Sequence, residues 1–557
     1  MEHYDGGPLR HVGDLPAMAA DRYGTKTAAS FLDQELSFAE LEARANGVAN
    51  VLSERDTEPG ERVALYVPNT LQYLEAYFGT IKAGAVPVPL NLRMDPNTLA
   101  YVLGNAEVDQ LIASPFLAGG LDTDEGRVVG PVELAERAGV GTVYLDGVEG
   151  ESVVEYGPAL EAAPETFDRP HRAFDDVAIQ PYTSGTTGRP KGVLLTHENL
   201  LETIEAYDLG GLSVDPDSSI LLVLPLFHIY GLNAVVGTYL YSGAEVVLHA
   251  QPDPVAMLED IEAREITDFA GVPALYTMMW REYRDDPDAY DLSSLDSVVC
   301  AAAPLADEVR RTIEQEWDVP MTEGWGMTET GPAGTAEPSR GVRKAAGCVG
   351  PALENVEIKL VDPETRETRV RSDQLSPFVD PDLDFEEPAA VTGEIAVRGP
   401  TVFEGYFGMP EKTEAVFDDE GYFYTEDIAR VDEDGYFWMV DRADDMIISG
   451  GENIYPAEVE DALYAHPDVA EAAVVAADHE VKGAAPVAFV VLEAGAAVDE
   501  ETLREFTLDH VATYAHPRRV FFVDDLPRSA TQKVQRFKLE READARLGGP
   551  LASSEEL

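Results

Sequence analysis

At 557 residues the chain exceeds one ordinary hydrophobic core, so two or more folding units are expected. Hydrophobic residues make up 45% of it, which rules out disorder as the source of its charge: 104 acidic against 40 basic residues, a formal net of −64. A field of that sign repels polyphosphate backbones and argues against a nucleic-acid partner. The acids are scattered along the whole chain, as on a solvated surface, and point to a cytoplasm of very high salt, where self-repulsion is screened. Cys300 and Cys348 are the two cysteines. They give no disulfide framework, fit a reducing cytoplasmic setting, and have no partner histidine nearby that would suggest a catalytic thiol. The amino terminus lacks the basic region and apolar core of a secretory signal.

Taken in chain order, Ser37 and Glu40 form a capping box, and Leu41, Ala45, Val48 and Leu52 follow at helical spacing. RVALYVP reads as a strand, a helix is expected from about Leu71 to Lys82, and AVPVPL is the next apolar run. This β-α-β order predicts a mostly parallel sheet with helices on its faces. The alternation returns in VLLTHENLLETIEAY, EVVLHA, DPVAMLEDIEARE and SVVCAAAP. Ser218 to Ala244 carries no charged residue, yet Pro225, His228, Asn233 and three glycines break it up. It reads as a strand, a loop and a buried helix, with no integral membrane span. Arg371 to Ala389 is rich in Pro and Asp and reads as a surface excursion. After about Arg442 the pattern changes to a short α+β run, so the expected division is residues 1–441 and 442–557, with a frayed tail after about Ala545.

The chemistry begins at YTSGTTGRPKG, Tyr182 to Gly192. Closely spaced hydroxyls and backbone N–H groups, with glycines that let the backbone curl, suit anionic oxygens, and Lys191 adds a cation. It is not a Walker loop, which needs Lys directly after the second Gly. Taken alone, the string also fits a polar surface turn.

With LFHIYG (Leu226 to Gly231), GWGMTET (Gly324 to Thr330), GEIAVRG (Gly393 to Gly399), YTED (Tyr424 to Asp427), DRADDMIISGGENIYPAEVE (Asp441 to Glu460) and PRSATQKVQR (Pro527 to Arg536), the chain resembles the acyl-adenylate-forming superfamily from about Leu15 to Leu539. Within it, the acyl-CoA synthetase branch, and fatty-acid–CoA ligases in particular, are most similar. The resemblance implies an α/β fold: a large amino-terminal domain of parallel and mixed sheets with packed helices, and a small mobile α+β carboxy-terminal domain. It assigns ATP phosphate contacts to Thr183, Ser184, Gly185, Thr186, Thr187, Gly188 and Lys191, and Mg²⁺ to Glu329 with Thr183. Thr328 is then an α-phosphate contact. Ala302, Ala303 and Pro304, with Gly324, Trp325 and Gly326, line the adenine site. Trp325 replaces the more usual tyrosine and offers a flat ring for stacking. Asp427 is implied as the ribose ligand, assisted by Arg442.

Lys533 resembles the family's adenylation lysine, which offsets charge where two anions meet. Asp444 is at the hinge position, where the small domain rotates between two states. Gly450 and Gly451 resemble the glycines beside the coenzyme A passage. His228 borders the acyl pocket as a positioning residue. Ala301, Ala302, Gly326 and Gly331 are read as small groups that leave volume for an extended or flat acid.

The expected enzyme is therefore an AMP-forming acid–thiol ligase. Its substrates are ATP with Mg²⁺, coenzyme A and a small-molecule carboxylic acid, read as a medium- or long-chain fatty acid. A homodimer is the expected assembly. An aryl-acid–CoA ligase and a stand-alone adenylation enzyme serving a carrier protein are the alternatives, with a luciferase-type oxygenase sharing the fold. A catalytically dead nucleotide-binding regulator would lack Lys533 or Glu329, and both are present.

Overall fold

The first long helix starts where its cap dictates. Ser37 Oγ accepts from the Glu40 N–H at 3.2 Å, and Glu40 accepts from the Ser37 N–H at 2.9 Å. Two donors that a helix start leaves orphaned are thereby satisfied, and Phe38–Ser53 follows. Leu41, Ala45, Val48 and Leu52 are its buried face. It packs on the helix Leu71–Lys82, which has the predicted bounds. The two approach so closely at Gly79 that an added Cβ would lie 2.4 Å from Val48 Cβ.

The computed structural model describes residues 9–551 apart from 124–125, 184–188, 302–304, 306, 339–343, 376–378, 443–444, 450–451, 480, 509, 514 and 529–533. Among the described residues, one eight-stranded sheet has six parallel inner strands. From one side these are Met321–Trp325, Ser297–Ala301, Asp268–Gly271, Ser219–Leu222, Glu245–Leu248 and Thr27–Phe31. A second, all-parallel sheet contains Val86–Pro89, Arg62–Tyr66, Gln110–Ala113, Thr142–Tyr144 and Val153–Val154. These are the β-α-β units that the alternating pattern predicts, and their apolar runs are buried on both faces.

A third sheet is antiparallel and six-stranded, with Thr392–Arg398, Phe423–Val431 and Phe437–Arg442 side by side. A fourth joins Lys191–Thr196 to Val177–Ile179, Tyr182–Thr183 and Gly405–Tyr406. The carboxy-terminal sheet is built on the antiparallel pair Val469–His479 and Gly483–Leu492, with Arg519–Phe522 added in parallel. Helices Pro456–Tyr464, Glu500–Leu508 and Arg536–Leu547 accompany it. The molecule is thus a large α/β amino-terminal domain followed by a small α+β carboxy-terminal one.

Ser218–Ala244 folds as strand, loop and buried helix, and its helix opens as a π-helix over Tyr230–Gly237 before becoming α over Thr238–Ser242. Among the described residues no helix is long and apolar enough to cross a membrane. The chain end departs from expectation. The last helix runs to Leu547, and Leu551 N–H then donates to the Asp478 carbonyl at 2.7 Å. The Leu551 side chain is buried beside Val475, Phe489 and Leu539. The tail is therefore not frayed at Ala545: one leucine reaches the carboxy-terminal core and secures it.

Candidate active site

The strands that flank the 184–190 loop set two side chains opposite each other. Thr183 pairs with Lys191 across the antiparallel ladder Tyr182–Thr183 to Lys191–Thr196. Tyr182 behind them is fixed by its hydroxyl, which donates to Asn105 Oδ1 at 2.6 Å. On its other edge the strand Lys191–Thr196 pairs with Gly405–Tyr406, a segment more than 200 residues away in sequence. That pairing brings Tyr406 under Lys191, whose Nζ lies 4.3 Å from the ring centroid. Phe403 holds the ring in turn, edge-on at 4.9 Å.

Glu329 completes this face. It sits in the 3₁₀ turn Thr328–Thr330, is buried at 4% exposure, and its Oε1 accepts from the Tyr406 hydroxyl at 2.9 Å. The Phe403 N–H donates to the Glu329 carbonyl at 2.9 Å and fixes the turn. Burial raises the Glu329 carboxyl above its ordinary range, partly opposed by the Tyr406 hydrogen bond and by the charges of Lys191 and Arg442. Burial also lowers the Lys191 ammonium, with Glu329 opposing that shift. Thr183 Oγ1 is buried and has no hydrogen-bond partner among the described residues. A buried hydroxyl and a buried carboxylate are oxygen ligands of the kind a hard cation takes, so Thr183 and Glu329 fit Mg²⁺.

A second group lies at the carboxyl end of the parallel strand Met321–Trp325, where ligands gather in open α/β sheets. The Trp325 indole N–H donates to Asp427 Oδ2 at 2.8 Å, and Arg442 Nη1 donates to Asp427 Oδ1 at 2.7 Å. Asp427 is 8% exposed, and its partner Arg442 is half-buried. The position of Asp427 follows from a bulge: Thr425, Glu426 and Asp427 lie opposite Ile395 alone, because Glu394 pairs with Ile428 and Ala396 with Tyr424. Glu426 takes φ +63 at this point and its N–H donates to Glu394 Oε1 at 2.9 Å. Beneath the same strand, buried Arg310 binds Glu323 at 3.1 Å and Glu337 at 3.0 Å. Burial pushes Glu323 up to about 8.

Thr328 is buried at the start of the Glu329 turn. His228 is half-buried, and its Nδ1 accepts from the Tyr230 N–H at 3.3 Å. Asn233, on the π-helix that follows, donates to the Gly331 carbonyl at 3.1 Å and joins that segment to the Glu329 turn. Gly326 and Gly331 are each packed closely against neighbouring chain. A Cβ on Gly326 would lie 1.8 Å from the Pro332 carbonyl oxygen, and one on Gly331 would lie 2.6 Å from Thr203 Oγ1. Neither position would admit a side chain larger than glycine's hydrogen.

Lys533 lies outside the described residues, as do Ser184, Gly185, Thr186, Thr187, Gly188, Ala302, Ala303, Pro304, Asp444, Gly450 and Gly451. The flanks of the Lys533 segment are described: Arg528 bridges Val534, and the Gln535 N–H donates to the Pro527 carbonyl at 2.7 Å. Just beyond, Arg536 binds both Glu460 oxygens at 2.5 and 3.1 Å and lies 3.4 Å from Asp445. Sequence reasoning missed Tyr406, because EGYFGMP carries no catalytic pattern and only strand pairing brings it to Glu329. Both cysteines are buried, and burial raises both thiols, Cys348 to about 12, which suits no nucleophile.

The fold, together with the Lys191–Tyr406–Glu329 and Trp325–Asp427–Arg442 groups, suits an adenylate-forming ligase. The chain matches the AMP-binding enzyme family over residues 17–407 and the AMP-binding enzyme C-terminal domain over residues 458–533, and it belongs to that family. A feruloyl-CoA synthase of Amycolatopsis sp is 33% identical, the match covering 96% of this chain and 98% of that protein. A long-chain-fatty-acid–CoA ligase of Bacillus subtilis (strain 168) is 31% identical over 96% and 95%. Among solved structures, ATP-bound MatB from Rhodopseudomonas palustris superposes with a TM-score of 0.83 at 32% identity, covering 96% of this chain and all of that one. The anthranilate CoA ligase AuaEII in complex with anthranoyl-AMP gives 0.85 at 25% identity, over 98% and 100%. The protein is an AMP-forming acyl-CoA synthetase, which joins a carboxylic acid to coenzyme A through an acyl adenylate.

Proposed function

We propose that the acid is a planar aryl acid, and that the site acts on it through two groups of residues. The observation that carries the first part is the 33% identity to a feruloyl-CoA synthase, above the 31% to a long-chain-fatty-acid–CoA ligase. Likeness to a feruloyl-CoA synthase, to 4-coumarate–CoA ligases and to an anthranilate CoA ligase supports the same choice. A fatty acid is the second reading, favoured by the 31% identity to a long-chain-fatty-acid–CoA ligase.

In this reading Thr183 and Lys191 hold the ATP phosphates with the residues of 184–188, and Thr328 meets the α-phosphate. Mg²⁺, held by Glu329 and Thr183, supplies charge neutralisation of the phosphates when bound. Asp427 and Arg442 hold the ribose, and Trp325 offers its ring to adenine. An acid of this class is already ionised near neutral pH, so no general base is needed. A carboxylate oxygen bonds to the α-phosphorus, and the bond from that phosphorus to the bridging oxygen breaks as pyrophosphate leaves. The coenzyme A sulfur then bonds to the acyl carbon, AMP leaves with the carbon–oxygen electron pair, and the thiol proton passes to solvent. Lys533 serves the first step by offsetting the meeting of two anions. His228 positions the acid. The small domain begins near Arg442, turns at Asp444, and opens a passage for coenzyme A beside Gly450 and Gly451.

Pyrophosphate release measured with ferulate, 4-coumarate, benzoate, octanoate and palmitate, with and without coenzyme A, tests this. The aryl acids are expected to show kcat/KM at least about tenfold above the fatty acids, a difference that a few apolar contacts supply. Preference for octanoate or palmitate selects the second reading.

A further inference from the structure

The carboxylate assigned to the ribose is gripped from two sides within the protein. Arg442 takes Oδ1 at 2.7 Å, and the Trp325 indole N–H takes Oδ2 at 2.8 Å. Two donors on two different oxygens fix both the position and the plane of a carboxylate. The indole has little freedom to turn away. A Cβ on Gly334 would lie 2.5 Å from Trp325 Cε3 and 2.6 Å from Cζ3, so the ring rests directly on that glycine. Its backbone is paired with Thr335 at the edge of the large sheet. Trp325 and Asp427 are both 8% exposed, so the bond between them is shielded from competing water.

We propose that Trp325 is a positioning residue for the sugar of ATP as well as a surface for its base. Its N–H sets the plane in which Asp427 meets the two ribose hydroxyls. One side chain thereby links recognition of base and sugar. A phenyl ring in its place offers a face for stacking but no donor for Asp427, so the link depends on the indole that this chain carries. The inference rests on the reading of Asp427 as the ribose ligand.

The test compares ATP with 2′,3′-dideoxy-ATP in acid-dependent pyrophosphate release by the full-length enzyme and by Trp325→Phe and Asp427→Asn. In Trp325→Phe, kcat/KM for ATP should fall about tenfold while that for the dideoxynucleotide changes less than twofold, so the preference for a ribose diol shrinks about tenfold. An equal fall with both nucleotides, as a packing defect would produce, overturns the proposal. If Trp325→Phe does not fold, Trp325→Leu takes its place: both rates should fall, and the preference should still shrink about tenfold. An unchanged preference in either variant overturns the proposal. The Asp427→Asn arm separates the two readings. Loss of the preference there with retention in Trp325→Phe rejects only the role of Trp325, whereas retention in Asp427→Asn rejects the ribose assignment itself.

Discussion

Tyr406 shows how one neutral side chain governs a buried charge. Burial disfavours the ionised form of Glu329, and the phenolic O–H at 2.9 Å favours it. Removing that donor in Tyr406→Phe should raise the Glu329 pKa further. If the ionised carboxylate is the working form, the acidic limb of kcat/KM for Mg·ATP then moves to higher pH. A hydrogen bond to a charged group is worth about 1.5–3 kcal/mol, which corresponds to a displacement of about one to two pH units. A pH profile of both proteins checks this, and superimposable acidic limbs would contradict it. Of the residues near Glu329, the sequence showed Thr328, Lys191 and Thr183, because each stands in a recognisable string. Tyr406 had no such string, and its role follows from pairing with Lys191–Thr196.

At the scale of elements, Arg536 joins pieces that are far apart in sequence. It begins the helix Arg536–Leu547, binds both oxygens of Glu460 on Pro456–Tyr464, donates to the Val474 carbonyl at 2.6 Å, and lies 3.4 Å from Asp445. Asp441, at the end of the preceding sheet, accepts from the Ala457 N–H at 3.1 Å at the start of the same helix, and burial pushes it up to about 7. Arg536 thus ties the strand end, the residues after the expected hinge and the segment that follows Lys533 into one cluster. Breaking a buried pair by removing one partner costs about 3–5 kcal/mol. Arg536→Ala should lose stability on that order in urea unfolding, and Arg536→Lys, which keeps the charge but not the fork, should lose less. Equal midpoints for all three proteins would show that the cluster contributes nothing. The structure gives Asp445 a partner.

The whole molecule carries its net charge of −64 on a fold with an extensive buried core. Self-repulsion on that scale is screened only when the Debye length falls from about 10 Å at 0.1 M to about 3 Å at 1 M salt. The thermal midpoint is therefore expected to rise steadily from 0.1 M to 2 M KCl, and a midpoint independent of salt would remove the high-salt reading. The order of elements, the capping box at Ser37, the bounds of Leu71–Lys82, the change of pattern after Arg442 and the family were legible in the sequence. These are local or motif-borne properties, written in periodicity and in short strings. Folding alone brings Tyr406 to Glu329, Trp325 to Asp427, Pro332 against Gly326, and Leu551 into the carboxy-terminal core. All but the Pro332 contact join segments distant in sequence, and no local pattern encodes which distant atom will occupy a space. The string Tyr182 to Gly192 gained its reading from the other motifs of the chain, whereas Tyr406, which meets Lys191 and Glu329, stands in no motif at all.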